Sequence, residues 1–196
     1  MSDIMDALLV QGKAAVDQVD DLRKSILAQY GENQKIEGDD YDRSCAARCV
    51  NGTFVGKRVD GVIVYKGIPF VGAQPTGDLR WKAPVDYVAD DGVYEAYYNG
   101  KTPRQNLDRS EAASLYPQGE DCLYLNVWKA DAADSDKLPV MVWVHGGGYV
   151  MGGTADPTYE CRNLVAENPG VIVVALEYRL GVFGYLDLSH LPGGEA

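Results

Sequence analysis

Two nearly unbroken apolar runs, LPVMVWVHG from Leu138 and VIVVALEY from Val171, constrain the fold more than any other feature of the chain. A strand with one wet face alternates apolar and polar residues; a run without alternation reads as a strand buried on both faces, in a sheet sandwiched between helices. Between the runs lies PTYECRNLVAEN, Pro157 to Asn168, a short helical candidate that ends at a Pro-Gly break. Strand, crossover helix, strand is a βαβ unit, and such units are almost always parallel and right-handed. The fold class expected is therefore α/β.

The upstream sequence has a different period. Residues 3–30 read as an amphipathic helix, with Leu8, Ala15, Val19, Leu22 and Ile26 on one face, Ser2 as an N-cap and Gly31 as a stop. Gly31 to Arg43 is polar and acidic and suits a linker. From about Cys49, TFVGKRVDGVIVYKGIPF alternates β-rich pieces with Gly and Asp-Gly turns, the pattern of a small antiparallel hairpin region. Residues 71–119 are rich in turn formers and aromatics and read as irregular; Cys122 to Trp128, CLYLNVW, is a further strand. The expected organisation is a helical extension and linker over 1–35 and a main unit over 36–196.

Composition narrows the partners. With 18 basic and 29 acidic residues the net charge is -11, which repels phosphate backbones and anionic headgroups, so neither nucleic acid nor a membrane is an expected partner. The first residues, MSDIMDALLVQGK, lack the basic start and long apolar stretch of a secretory signal, and no run reaches transmembrane length. A cytoplasmic location is the expectation. Cys45, Cys49, Cys122 and Cys161 are too few for a disulfide scaffold. Cys45 and Cys49 would share a face if their segment were helical, but no second cysteine or histidine cluster completes a metal shell. No metal and no cofactor are expected.

The first apolar run stops in VWVHGGGYVMGG, Val142 to Gly153. In α/β sheets ligands bind beyond the carboxyl ends of the strands, which is where these glycines sit. Glycine there allows backbone conformations closed to other residues, and successive N–H groups can converge on an anion. A phosphate would call for GxGxxG or a glycine loop ending in Lys-Ser or Lys-Thr, and neither occurs. The transient oxyanion of acyl transfer needs two or three donors about 3 Å from one oxygen, which a His-Gly-Gly-Gly turn supplies.

Five segments in order, GVIVYKGIPF (Gly61 to Phe70), GDLRWKAP (Gly77 to Pro84), EDCLYLNVW (Glu120 to Trp128), LPVMVWVHGGGY (Leu138 to Tyr149) and YRLGVFGYL (Tyr178 to Leu186), resemble the type-B carboxylesterase and cholinesterase family of α/β-hydrolases. The resemblance covers roughly residues 49–195. It implies the N-terminal part of an α/β-hydrolase fold, in which a small antiparallel region leads into a central, mostly parallel sheet flanked by helices. It also implies that Gly147 and Gly148 are oxyanion-hole donors through their backbone N–H groups, and that Gly146 and Tyr149 are substrate-binding positions. In the family the catalytic histidine lies far downstream, so His145 shapes the loop and His190 belongs to an exposed one. Arg80 with Glu120 corresponds to a structural ion pair, and Arg179 is structural. Cys122 stands where secreted relatives form a disulfide, but Thr102 to Gln105 lacks the partner cysteine, which suits a reducing compartment. Glu177 stands where the family usually has asparagine, which changes the local hydrogen bonding; Ala130 is a neutral departure.

The family's nucleophile sits in a GxSxG elbow. None of Ser2, Ser25, Ser44, Ser110, Ser114, Ser135 or Ser189 has that surrounding. The chain is thus expected to supply the oxyanion hole of a serine carboxylic-ester hydrolase acting on a small-molecule ester, and to be inactive alone. The serine would lie on a second polypeptide or on the rest of a longer chain. The alternative is a non-catalytic, cholinesterase-like interaction protein that docks through the helix at 3–30.

Overall fold

A computed structural model describes residues 13, 17–105, 116–131 and 137–192. Residues 17–27 form a helix, α1. Ten strands follow: β1 (Ala46–Cys49), β2 (Gly52–Val55), β3 (Lys57–Val59), β4 (Val62–Pro69), β5 (Val93–Glu95), β6 (Thr102–Pro103), β7 (Gln118–Gly119), β8 (Tyr124–Ala130), β9 (Val140–Val144) and β10 (Ile172–Leu176). Helix α2 (Arg162–Glu167) links the last two strands, and α3 (Gly181–Tyr185) follows β10.

The central sheet has the order β3-β4-β8-β10-β9. Its β3–β4 hairpin turns on Asp60 and Gly61, at φ of 50° and 79°. Two positive φ values in a two-residue loop match the twist of the flanking strands, which explains the Asp-Gly signal. The expected parallel βαβ pairing is present as β9–β10, with Val142 opposite Val174. All other pairs in this sheet are antiparallel, so within the central sheet the parallel character is confined to one pair among the described residues. The smaller sheet, β1-β2-β5, keeps the expected antiparallel pairing in β1–β2, and β5, from the stretch read as irregular, joins β2 in parallel.

The period-2 alternation of β4 divides the core. Val62 and Val64 join Trp128, Ala130, Val173, Ala175 and Val165 of α2 on one face. Ile63 and Tyr65 point to the other, against Phe54, Val55 and Ala96 of the small sheet region. Full burial of one such aliphatic side chain stabilises by roughly 1.5–3 kcal/mol, so α2, only six residues long, is held by Val165 and its neighbours more than by its own propensity.

Strand β9 departs from the expected two-sided burial. Its five residues, Val140 to Val144, are between 40% and 57% exposed. The physical reason is position: β9 is the outermost strand, paired on one side with β10 and on the other with no strand among the described residues. An apolar run reports what a strand is suited to contact, and the contact need not lie in the same segment.

Two expectations at the N-terminal side change as well. Leu8, Ala15 and Ser2 lie outside the described residues, and of the remaining helix positions Ile26 is buried while Val19 and Leu22 are exposed. Residues 31–36, suited by composition to a linker, are hydrogen-bonded into the body. Asn33 Nδ2 donates to the carbonyls of Lys66 and Tyr98, and its Oδ1 accepts from the N–H groups of Tyr97 and Tyr98. One amide thereby uses both donors and both acceptor sites on backbone. Cys45 lies in a short 3₁₀ turn and Cys49 ends β1, so the two do not share a helix face.

Arg80 and Glu120 form a two-point ion pair, as expected. Arg80 Nε and Nη2 donate to the two carboxylate oxygens, the Nη2 contact at 2.7 Å. The Arg80 hydrogen bonds hold Glu120's carboxyl below the usual carboxylate range. A depressed folded-state pKa contributes stability that is present above the unfolded carboxyl's pKa and lost as pH falls through the folded one. Glu120→Gln is therefore expected to flatten the acid limb of a stability-versus-pH curve measured by urea unfolding; an acid limb identical to wild type would show that the pair carries none of it.

Candidate active site

Strand β9 delivers the chain into His145 and then Gly146, Gly147 and Gly148. Gly147 has φ 119° and Gly148 φ 63°, both in the region that favours glycine. A Cβ on Gly147 would overlap the Met151 carbonyl, whereas one on Gly146 or Gly148 would meet nothing. The tight turn thus demands glycine most strongly at 147.

The carbonyls of His145, Gly146 and Gly147 are occupied from within. Tyr178 Oη donates to the His145 carbonyl at 2.6 Å. His145 Nδ1 lies 2.9 Å from the Gly146 carbonyl. The N–H groups of Val150 and Met151 both reach the Gly147 carbonyl at 3.2 Å. In a planar trans peptide the N–H points opposite to the C=O. The N–H groups of Gly146, Gly147 and Gly148 are therefore turned away from these partners, and among the described residues none of them donates to an internal acceptor. Unpaired N–H groups in successive residues are suited to a ligand oxygen.

The loop rests on buried polar chemistry. His145 is 2% exposed and Glu177 3%. The Tyr178 ring stacks on the imidazole, centroids 4.3 Å apart. Glu177 Oε1 accepts from the Thr154 N–H at 2.8 Å and from its hydroxyl at 2.9 Å. Glu177 Oε2 stands 3.5 Å from His145 Nε2, an ion-pair distance too long for a good hydrogen bond. Burial pulls the His145 pKa down, but Glu177 and the Gly146 carbonyl more than offset it, so the net displacement is upward. Gln105 clamps the far end of the loop, accepting from the Gly152 N–H and donating to its carbonyl.

The sequence-derived site residues thus come together at one strand end. Gly146 and Gly147 line a cleft of about 220 Å³ with Tyr116, Met151, Asp156 and Tyr159. Tyr149 is 62% exposed, leans against Tyr185 with ring centroids 4.9 Å apart, and has φ 65°; its carbonyl accepts the Gly181 N–H. His190 is exposed in a turn apart from the loop, and Arg179 donates to the Lys82 carbonyl. Sequence reasoning missed the roles of Thr154 and Gln105, which carry no motif. A glutamate inside the apolar run VIVVALEY was the available signal for the Glu177 network. Among the described residues no group of His, Cys, Asp or Glu could hold a metal.

The chain is similar to known proteins. The sequence model of the carboxylesterase family matches residues 43–194. The para-nitrobenzyl esterase of Bacillus subtilis (strain 168) is 41% identical over 140 residues, covering 70% of this chain and 28% of that esterase. Carboxylesterase 3B of Mus musculus is 36% identical over 157 residues, covering 74% of this chain and 27% of that protein. A solved PNB esterase superposes with a TM-score of 0.70 at 37% identity, covering 77% of this chain and 31% of that one. The chain spans less than a third of the length of these relatives. With a family match running through both sheets and the glycine loop, the chain belongs to the carboxylesterase family and carries part of its α/β-hydrolase fold.

Proposed function

We propose that the chain is the oxyanion-stabilising portion of a serine carboxylic-ester hydrolase. The observation that carries this reading is the glycine turn, in which the carbonyls of His145, Gly146 and Gly147 are held internally while, among the described residues, the N–H groups of Gly147 and Gly148 have no internal acceptor. A serine hydroxyl attacks the ester carbonyl, and the two N–H groups receive the developing negative charge of the tetrahedral intermediate. The alcohol departs, leaving an acyl-enzyme that water hydrolyses. Gly146 and Tyr149 border the bound ester.

The serine, its acid and its histidine come from polypeptide beyond this sequence, which contains no GxSxG. The exposed faces and free edge of β9 support that completion, because an apolar edge strand is stable against aggregation when another strand or helix covers it. Four free cysteines fit a reducing, cytoplasmic setting. Among the described residues no helix is long and apolar enough to cross a membrane. Treating the native preparation with a fluorophosphonate, followed by mass spectrometry of every polypeptide present, tests the reading. Labelling of a serine on polypeptide associated or continuous with this chain is expected; no labelled polypeptide at all would rule out active ester hydrolysis.

A further inference from the structure

We propose that Glu177 is a positioning residue for the glycine loop: its carboxylate holds His145 as an imidazolium, whose Nδ1–H grips the Gly146 carbonyl and so aims the Gly147 N–H. The inference rests on the reading of Gly147 as an oxyanion donor and says what keeps that donor in place.

With Glu177 ionised, the arrangement favours a proton on each side of the ring. Nδ1 faces a carbonyl oxygen at 2.9 Å, which can only accept, so that nitrogen must carry hydrogen. Nε2 faces Glu177 Oε2 at 3.5 Å. A bare Nε2 there would set a lone pair against a carboxylate oxygen, in a place where neither atom has another partner. A proton on both ring nitrogens satisfies both contacts. The alternative neutral tautomer, with hydrogen on Nε2 alone, would leave Nδ1 opposed to the Gly146 carbonyl and push that peptide away.

Glu177 is itself fixed. Its Oε1 takes two hydrogen bonds from Thr154, whose hydroxyl accepts from Asn126 Nδ2 of β8 at 3.3 Å. Asn126 Nδ2 also donates to Asn99 Oδ1, and Asn126 Oδ1 accepts the Gly67 N–H. The carboxylate is thus anchored to the central sheet, while Tyr178 stacks on the ring it faces and a Cβ at Gly152 would meet that ring at Nδ1. Because Gly146 C=O and Gly147 N–H share one peptide plane, a hold on the first fixes the direction of the second.

Of the other groups near the pair, the tyrosines and the cysteine stay uncharged across the range that matters, and Arg179 is charged. Tyr178 stacks on the ring, and burial raises its hydroxyl's pKa. Tyr30, which shares a hydrogen bond with Thr102, and Cys122 both feel Glu177, and burial is the main cause raising each of them. Arg179 donates elsewhere, to the Lys82 carbonyl. Glu177 is therefore the charge that faces His145. The upward displacement of the ring's pKa from 6.5 agrees with this arrangement. A raised folded-state value means that the hold is complete below the ordinary histidine range and is lost as pH rises through the raised value.

The test is a pH titration of the full 196-residue chain by long-range ¹H–¹⁵N correlation of its two histidines, with the Gly147 amide followed in parallel. In wild type, the His145 midpoint is expected above 6.5, both ring nitrogens are protonated below it, and the Gly147 amide shifts with the same midpoint. In Glu177→Gln the two midpoints are expected to move down together, below 6.5; Glu177→Asp, which keeps a carboxylate, should restore part of the shift. A wild-type His145 midpoint at or below 6.5, a Gly147 amide indifferent to the ring, or a Glu177→Gln midpoint unchanged from wild type would each overturn the proposal. The wild-type titration decides even if the variants fail to fold. Failure of fluorophosphonate labelling would remove the ester-hydrolase reading and leave this titration standing; a flat Gly147 titration beside successful labelling would remove the positioning role alone.

Discussion

Gly147→Ala is expected to reduce kcat for ester hydrolysis by the complete enzyme by about a hundredfold or more, the loss typical of an oxyanion hole deprived of one donor. The added Cβ would overlap the Met151 carbonyl, which is backbone and has little room to yield. The φ of 119° is strained for alanine besides. To escape, the peptide must rotate, and rotation breaks the match between the Gly147 carbonyl and its two donors, Val150 and Met151. A change in φ at 147, which turns the 146–147 peptide instead, swings the 147 N–H off its target. Gly146→Ala separates steric tightness from position in the loop: its Cβ meets nothing and its φ is not in the glycine-favouring region, so a smaller loss is expected there. Steady-state kinetics with an activated ester, together with thermal unfolding of each variant, measure both. A Gly147→Ala enzyme that is folded and within a few-fold of wild-type kcat would mean that this N–H is not a donor to the transition state.

The parts of the fold legible in the sequence are those whose signal is local. The Asp60–Gly61 turn was readable because a two-residue hairpin needs positive φ at both positions, and Asp-Gly tolerates it. The β9–α2–β10 unit was readable because period and length agree with the connection. The glycine loop was readable because its positive φ values at Gly147 and Gly148 call for that residue type. What stayed hidden depends on partners distant in sequence. Asn33, in a stretch that reads as linker, is matched to backbone more than thirty residues away at Lys66 and Tyr98. β5 joins β2 in parallel across an intervening irregular segment, a pairing that no alternation pattern encodes. Glu177 was visible as an oddity, but its meaning required knowing that His145 and Thr154 converge on it.

Trp128→Ala is expected to destabilise the chain by about 3–5 kcal/mol, the range for removing a large aromatic from a packed core. Trp128 is 1% exposed and sits among Val62, Val64, Val165 and Val173, so its loss opens space between the central sheet and α2. Its indole N–H also donates to Glu160 Oε1 at 2.6 Å. Trp128→Phe keeps much of the apolar volume and removes that hydrogen bond, but Glu160 is part-exposed and its Oε1 still accepts from the Arg162 N–H, so a smaller loss than for alanine is expected. Trp143 supplies the contrast. It lies in a more continuous apolar run than Trp128, yet it is 41% exposed on β9, with Tyr159 as its aromatic neighbour. Trp143→Ala should therefore cost under about 1 kcal/mol in this chain, as for surface positions generally, and considerably more in a complete enzyme where β9 is covered. Urea unfolding followed by circular dichroism, on the chain and on the complete enzyme, reads all three. If Trp143→Ala costs as much as Trp128→Ala in the chain by itself, β9 is already covered there and does not form an open edge awaiting the rest of the sheet.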